Sequence, residues 1–87
     1  MNWQLRIANR ARKALARKLP VKDQRLVMAA LDAMRIDPFS GDIVRLHADE
    51  RAAWRRRVGS YRIFFDVYPD QLIVDVVDID RRTSTTY

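Results

Sequence analysis

Alternating apolar and polar residues predict three short strands in the second half of the chain. Successive side chains of a strand point to opposite faces, so a period of two is typical of a half-buried strand. The alternating segments cover residues 54–58, 61–68 and 72–79, and the breaks between them contain Gly59-Ser60 and Pro69-Asp70. Both breaks favour tight turns. The last segment is nearly apolar on both faces, which makes it a candidate for the central strand.

The first half of the chain predicts one further strand and two helices. Residues 3–7 alternate and indicate a short strand. Asn9 is a suitable N-cap for a helix that continues to Leu19, and Pro20 should end this helix, because proline disfavours the helical conformation of the residue before it. A second helix should run from residue 21 to 36, and together the two helices form an antiparallel hairpin. The buried stripe of the second helix is predicted at Val27, Ala30, Leu31 and Met34.

The segment from residue 39 to 53 has no clear period, and we predict it mainly as a loop. The resulting order of elements is β-α-α-β-β-β. We therefore expect a single α+β domain over residues 1–87, in which a two-helix hairpin packs on one face of a small, mainly antiparallel four-stranded sheet. The other face of the sheet would then be available for function.

Composition narrows the class of partner. The chain has 87 residues, which suits one domain with one core. Its 17 Lys and Arg side chains against 11 Asp and Glu give a net charge of +6, and this indicates an anionic partner, either nucleic acid or an acidic protein. The lack of Cys excludes disulfides and thiolate metal sites. No apolar run approaches the roughly 20 residues that span a bilayer, so we expect a cytoplasmic protein without a membrane partner.

The sequence does not support most familiar kinds of catalytic site. His47 has no second His and no Cys to share a metal ion with, and it is expected on the surface. Gly41 and Gly59 are the two glycines of the chain, too few for a phosphate-binding loop. Four carboxylates could bind a divalent cation but are expected to pair with arginines or to face water: Asp66, Asp75, Asp78 and Asp80. We therefore predict no metal and no cofactor.

Arginine and tyrosine remain as the candidate chemistry. In the hairpin around Gly59, Arg55 and Arg57 should point to one side of the first strand, and Arg62 begins the second strand close to them. Guanidinium groups are always charged and bind oxyanions in a planar fork, so this cluster suits phosphate. RNA carries its own nucleophile in the 2′-hydroxyl. Arg and Tyr are poor general acids and bases near neutral pH. Such an enzyme should therefore be slow unless another component holds the substrate in a reactive conformation.

Residues 55–63, with the sequence RRRVGSYRI, resemble the R-x-R-V-G-x-Y-R signature of the RelE/ParE toxin superfamily. The likeness extends over nearly the whole chain: an early strand, a helix hairpin that ends near Asp37-Pro38, the signature hairpin, an apolar strand, and a late Arg and Tyr. The resemblance implies the toxin of a type II toxin–antitoxin module. It also implies an acidic antitoxin that wraps the toxin and connects it only indirectly to DNA.

RelE-like members of this superfamily cleave mRNA in the ribosomal A site without a metal ion. By this resemblance, Arg62 stabilises the scissile phosphate, and the late residues Arg82 and Tyr87 complete the catalytic set. Arg55 and Arg57 would bind the RNA backbone. Arg81 is the alternative to Arg82 as the late arginine and is assigned to RNA binding. The resemblance therefore implies a metal-independent endoribonuclease that inhibits translation, with mRNA on the ribosome as its partner.

Alternative interpretations remain open at several positions. A ParE-like inhibitor of DNA gyrase would share the fold without RNase activity, and an inactive member would bind only its antitoxin. Arg62 could form a structural ion pair, and Arg55 and Arg57 could serve only to hold the acidic antitoxin. Trp54 and Tyr61 are expected to pack in the sheet. Arg56 stands where many members have an apolar residue, and we expect it to extend outward or to lie at the sheet edge.

Overall fold

The computed structural model describes residues 2–47 and 51–81, and within them the chain forms two helices and one sheet. A single helical turn, Pro69–Gln71, connects the last two strands. In chain order the elements are β1 (Gln4–Ile7), α1 (Asn9–Arg17), α2 (Val21–Ile36), β2 (Asp42–Arg45), β3 (Trp54–Val58), β4 (Tyr61–Tyr68) and β5 (Ile73–Arg81).

The strands form one mixed sheet in the order β1-β5-β4-β3-β2. β1 runs parallel to β5, and the other neighbouring strands are antiparallel. The nearly continuous apolar segment is β5, which lies between β1 and β4 and is thus an interior strand of the sheet. The α+β class and the two-helix arrangement are therefore confirmed.

The predicted number of strands is wrong, because the described residues contain five strands and not four. The additional strand is β2, which lies in the segment predicted as a loop and pairs with β3 through Ile43 opposite Arg56. β2 has only four residues, and all but Ile43 are exposed. A short strand at the sheet edge needs little apolar alternation, so its sequence lacks the usual signal.

The helices cover one face of the sheet and form the core with it. The stripe predicted on α2 is buried at all four positions. α1 is shorter than predicted: it begins at Asn9, with Ala8 and not Asn9 in the N-cap position, and it ends at Arg17. Leu19 is buried beyond the end of α1. The sheet contributes Ile63, Phe65, Val74, Val76 and Ile79 to this core, all at most 1% exposed.

A β-bulge interrupts the pairing of β4 with β5. Phe64 lies opposite Asp78, whereas the next residue, Phe65, lies opposite Val76. Val77 is therefore the extra residue of β5. As a result, Phe65 and Val76 face the helices, while Asp75 and Asp78 on either side of the bulge share the opposite face.

The turn between β3 and β4 is fixed against α2. Gly59 has φ +57°, a left-handed conformation that favours glycine, and a Cβ at this position would lie 3.0 Å from Leu26 of α2. The hydroxyl of Tyr61 donates a hydrogen bond of 2.6 Å to Asp23 near the start of α2. These contacts hold the arginine-rich hairpin in one position relative to the helices.

Candidate functional site

The three predicted arginines of the hairpin lie on one face of the sheet. Arg57 and Arg62 are direct cross-strand partners, and Arg55 lies opposite Phe64. Paired residues share a face, and so do residues two apart on a strand. Since the neighbouring position, Ile63, is in the core beneath the helices, these arginines lie on the opposite side. We call this side of the sheet, which neither α1 nor α2 covers, the open face.

Arg62 binds a carboxylate of the adjacent strand with two hydrogen bonds. Its Nε donates to Oδ1 of Asp80 at 2.9 Å, and its Nη2 donates to Oδ2 at 3.1 Å. The two residues are direct partners across β4 and β5, which explains the close approach. The guanidinium of Arg62 also lies 5.6 Å from the centre of the Phe64 ring. Arg62 is thus held in the planar fork geometry that also suits a phosphate.

A further arginine, Arg51, belongs to the same cluster and was not among the residues selected from the sequence. Its Nη1 donates to Oδ2 of Asp78 at 2.6 Å, and its Nη2 lies 2.8 Å from Oδ2 of Asp80. Its guanidinium lies 3.9 Å from the centre of the Phe64 ring. Burial opposes the charged form of Arg51, but the hydrogen bonds and charges of the two carboxylates outweigh it and raise the pKa of Arg51.

Asp78 is the most buried carboxylate of the site. Its residue is 5% exposed, and Oδ1 accepts a hydrogen bond of 2.9 Å from the backbone N–H of Ile79. Besides Arg51, it has Arg10 at the start of α1 as a neighbour, at 3.8 Å. A buried carboxylate requires such partners, because an unpaired buried charge is costly. Asp78 therefore anchors Arg51 to the sheet.

Arg55 and Arg57 have looser surroundings. Nε of Arg57 lies 3.2 Å from Asp42 on the edge strand β2, and both side chains are exposed. Exposed pairs of this kind contribute little to stability and exchange readily with solvent ions. Among the described residues, no carboxylate lies within ion-pair distance of Arg55. Arg55 is half-buried next to Val44 of β2, its cross-strand partner.

The structure separates Arg81 from these residues. Arg81 is the cross-strand partner of Tyr61, which is buried on the helix side, so it lies on the other side of the sheet from Arg62. Arg82 and Tyr87 lie outside the described residues, and their predicted roles remain predictions. Tyr61 packs in the core as expected, and its hydrogen bond to Asp23, followed by burial, raises its pKa.

Two other expectations about individual residues can be compared with the structure. His47 is exposed, as predicted. Trp54 packs against the core and contacts Phe39 edge-on, with ring centres 5.0 Å apart.

Arg56 differs from the expectation that it extends outward or lies at the sheet edge. β3 lies between β4 and β2, and Arg56 points to the helix side with its cross-strand partner Ile63. Its Nη1 donates to Oγ of Ser40 at 3.2 Å, whereas its buried Nε has no hydrogen-bond partner among the described residues. Burial lowers the pKa of Arg56. The guanidinium has room because Gly41 carries no side chain there.

Around the hairpin, the open face therefore combines the guanidinium groups of Arg51, Arg55, Arg57 and Arg62 with the ring of Phe64 and the carboxylates of Asp42, Asp78 and Asp80. Such a surface can bind and orient an anion with several oxygens, and it can stabilise charge that develops on that anion. In residues 2–47 and 51–81, no three His, Asp or Glu side chains are grouped as metal ligands would be. No helix in the same residues is long and apolar enough to cross a membrane.

Comparison with known proteins identifies the fold. No protein-family model matches the sequence, and no curated protein matches it. Among solved structures, the chain is similar to the archaeal RelE–RelB complex from Pyrococcus horikoshii OT3, with a TM-score of 0.80 and 21% identity over 98% of this chain and 100% of that chain. The toxin–antitoxin complex RelBE2 from Mycobacterium tuberculosis gives 0.82 and 20% identity, over 94% of this chain and 100% of that one.

The isolated RelE toxin of E. coli matches with a TM-score of 0.74 and 18% identity, over 95% of this chain and 87% of that chain. The chain thus has the fold of the RelE toxins, as the resemblance of residues 55–63 implies. At these identities the likeness shows the fold and leaves the activity to be argued from the site.

Proposed function

We propose that this protein is the toxin of a type II toxin–antitoxin module and that it inhibits translation by cleaving mRNA on the ribosome. The observation that carries this proposal is the placement of Arg55, Arg57 and Arg62, which lie side by side on the open face of a RelE-type sheet. The fold would present these guanidinium groups to one stretch of RNA backbone.

The proposed reaction is attack of a 2′-hydroxyl on the adjacent phosphate of the mRNA, which forms a 2′,3′-cyclic phosphate and breaks the bond to the 5′-oxygen of the next nucleotide; the 2′-hydroxyl loses a proton and the leaving 5′-oxygen gains one. Arg62 stabilises the negative charge that grows on this phosphate, because a guanidinium fork matches two of its oxygens. Arg55 and Arg57 hold the neighbouring backbone, and Arg82 and Tyr87 act at the same phosphate. Neither Arg nor Tyr transfers protons well near pH 7, so the reaction depends on close alignment of the 2′-hydroxyl with the phosphate. The ribosome supplies this alignment.

The proposed protein partner is an acidic antitoxin. Nine basic and three acidic side chains lie in the first 37 residues, so β1 and the two helices carry the excess positive charge. An acidic segment would be attracted to this surface. Two of the similar structures are complexes of a RelE-type toxin with its antitoxin. DNA would be contacted only through the antitoxin, and the complex would act in the cytoplasm.

Primer extension on mRNA from cells that express the protein tests the proposal. We expect new 5′ ends within coding sequences, and we expect Arg62→Ala to abolish them together with growth inhibition. Arg6→Ala is the matched control, because Arg6 also lies on the open face and pairs with a carboxylate of β5, Asp75 at 3.7 Å, but at the far end of the sheet. Undiminished cleavage by Arg62→Ala would contradict the proposed role of this residue.

Plasmid supercoiling and growth, measured in the same cells, separate the alternative functions. Intact mRNA combined with blocked DNA supercoiling would indicate a ParE-like gyrase inhibitor and refute the nuclease proposal. Expression without any effect on growth would indicate a member that only binds its antitoxin.

A further inference from the structure

Two arginines, one from the segment before β3 and one from β4, converge on one carboxylate of the open face. Arg51 approaches Oδ2 of Asp80 at 2.8 Å from the segment before β3. Arg62 approaches both oxygens of Asp80, at 2.9 and 3.1 Å, from β4. The guanidinium groups of both arginines also lie against the ring of Phe64, which is 2% exposed although it is outside the core. This arrangement is a preformed oxyanion site in which a side-chain carboxylate is bound.

We infer that Arg51 and Arg62 form a clamp for one phosphodiester group of RNA, and that Asp80 occupies this clamp until a phosphate replaces it. The inference rests on the proposed function for the identity of the anion. It adds Arg51 to the binding residues and gives Asp80 the role of an internal competitor. A phosphodiester carries one negative charge and two unesterified oxygens, so it offers the same two-point contact as the carboxylate.

The two carboxylates of the cluster differ in how easily they can be displaced. The side chain of Asp78 is 7% exposed and is additionally bonded to a backbone N–H, so it stays in place. The side chain of Asp80 is 28% exposed, and the arginines that hold it are 38% and 31% exposed. Asp80 can therefore rotate into water when a phosphate arrives. Asp78 would keep its bond to Arg51 during this exchange, so Arg51 would not need to be repositioned.

The test measures binding of a single-stranded 2′-O-methyl RNA octanucleotide, which cannot be cleaved by 2′-hydroxyl attack, to the purified protein at several salt concentrations. Asp80→Asn removes the competing charge, and we expect it to tighten binding about tenfold, as for the loss of a charge-assisted contact. Arg51→Gln should weaken binding about tenfold. It should also reduce the slope of log affinity against log salt by about 0.7, the value for one phosphate contact on a single strand.

Asp75→Asn is the matched control for Asp80→Asn. Asp75 lies on the same strand and the same face, its side chain is 26% exposed, and its ion pair with Arg6 is 3.7 Å long. Both substitutions remove one negative charge, so a general electrostatic effect would change affinity equally. We expect less than about a twofold change for Asp75→Asn, because it occupies no two-arginine clamp. Equal tightening by both variants would overturn the inference.

Thermal melting of each variant identifies any that do not fold. If Asp80→Asn fails to fold, the binding measurements on Arg51→Gln test the inference. An unchanged slope of log affinity against log salt in this variant would overturn it. The outcome is distinguishable from that of the proposed function, because binding of the octanucleotide needs no ribosome. Tightening by Asp80→Asn without mRNA cleavage in cells would support the clamp and refute the nuclease. Cleavage in cells with no response to either substitution would refute the clamp alone.

Discussion

The close approach of Gly41 to the partly buried guanidinium of Arg56 allows a stability prediction in which two costs can be separated. Gly41 lies just before β2 with φ +82°, a conformation that L side chains rarely adopt. A Cβ at this position would lie 2.7 Å from Cζ of Arg56, 2.8 Å from Nη2 and 2.9 Å from Nε. Gly41→Ala therefore brings a backbone cost and a steric cost at once.

The two costs can be given magnitudes. The left-handed conformation costs a residue with a Cβ about 1–2 kcal/mol relative to glycine. The guanidinium is the end of a flexible side chain, so it can move, but its hydrogen bond of 3.2 Å to Ser40 would be lost. Losing a hydrogen bond of this kind costs about 1 kcal/mol. We therefore expect Gly41→Ala to lower the free energy of unfolding by about 2–3 kcal/mol.

Arg56→Met isolates the steric part. Methionine fits the space of the aliphatic stem and removes both the Nε that has no partner and the hydrogen bond to Ser40. These effects oppose each other, so the substitution alone should change the free energy of unfolding by less than about 1 kcal/mol. With Met at position 56, the flexible terminal methyl can turn away from the new Cβ without the loss of a hydrogen bond, so Gly41→Ala should cost only the backbone part. The double-mutant cycle should thus give a coupling free energy of about 1 kcal/mol between the two positions.

Urea unfolding followed by the fluorescence of Trp3 and Trp54 measures all four proteins. A difference of about 1 kcal/mol corresponds to a shift in Tm of roughly 4–8 °C for a domain of this size, so thermal melting provides a second measurement. If Gly41→Ala costs the same with Arg and with Met at position 56, the contact with the guanidinium is not the source of the steric cost. A neutral Gly41→Ala would refute the backbone argument as well.

Three further predictions concern single substitutions. Arg62→Ala should abolish mRNA cleavage. It should change the free energy of unfolding, measured with urea, by less than about 1 kcal/mol, because the ion pair of Arg62 with Asp80 is partly exposed. The pKa of Tyr61 is raised by its hydrogen bond to Asp23 and by burial, so its contribution to stability is complete below about pH 10 and is lost as the pH rises through the folded-state pKa. Tyr61→Phe should therefore lower Tm at pH 7 and flatten the fall of Tm above pH 10, and an unchanged alkaline slope would contradict this. Phe65→Ala should cost about 3–5 kcal/mol, since its ring is fully buried; a loss below 1 kcal/mol in urea unfolding would show that this site is not close-packed.

The parts of the fold that sequence could predict are those with strong periodicity. The stripe on α2 and the apolar run of β5 each repeat over many residues, and burial follows from that repeat. β2 escaped prediction because a strand of four residues at the sheet edge buries little, and its pairing depends on β3 and not on its own pattern. The location of Arg56 depends on the space beside Gly41, which only the folded chain defines.

The candidate site, like the fold, could be predicted only in part from the sequence. Alternation around Gly59 was enough to place Arg55, Arg57 and Arg62 on one face. Arg51 could not be found in this way, because its hydrogen-bond partner Asp78 is 27 residues further along the chain and its own segment has no period. Composition indicated that acidic residues would pair with arginines, but not which arginines share a carboxylate.

The extra residue in β5 determines on which side its acidic residues lie. Asp75 and Asp78 are three positions apart, so a regular strand would place them on opposite sides of the sheet, and one set of carboxylates would face the helices. The bulge at Val77 restores both to the arginine side while Val76 and Ile79 stay in the core. A natural or engineered deletion of Val77 would remove the extra residue and leave a regular alternation, in which Phe65 still pairs with Val76 and Phe64 with Asp78. Oily and charged side chains would keep their present surfaces, so a chain that is one residue shorter at this point could be treated as a minor length variant.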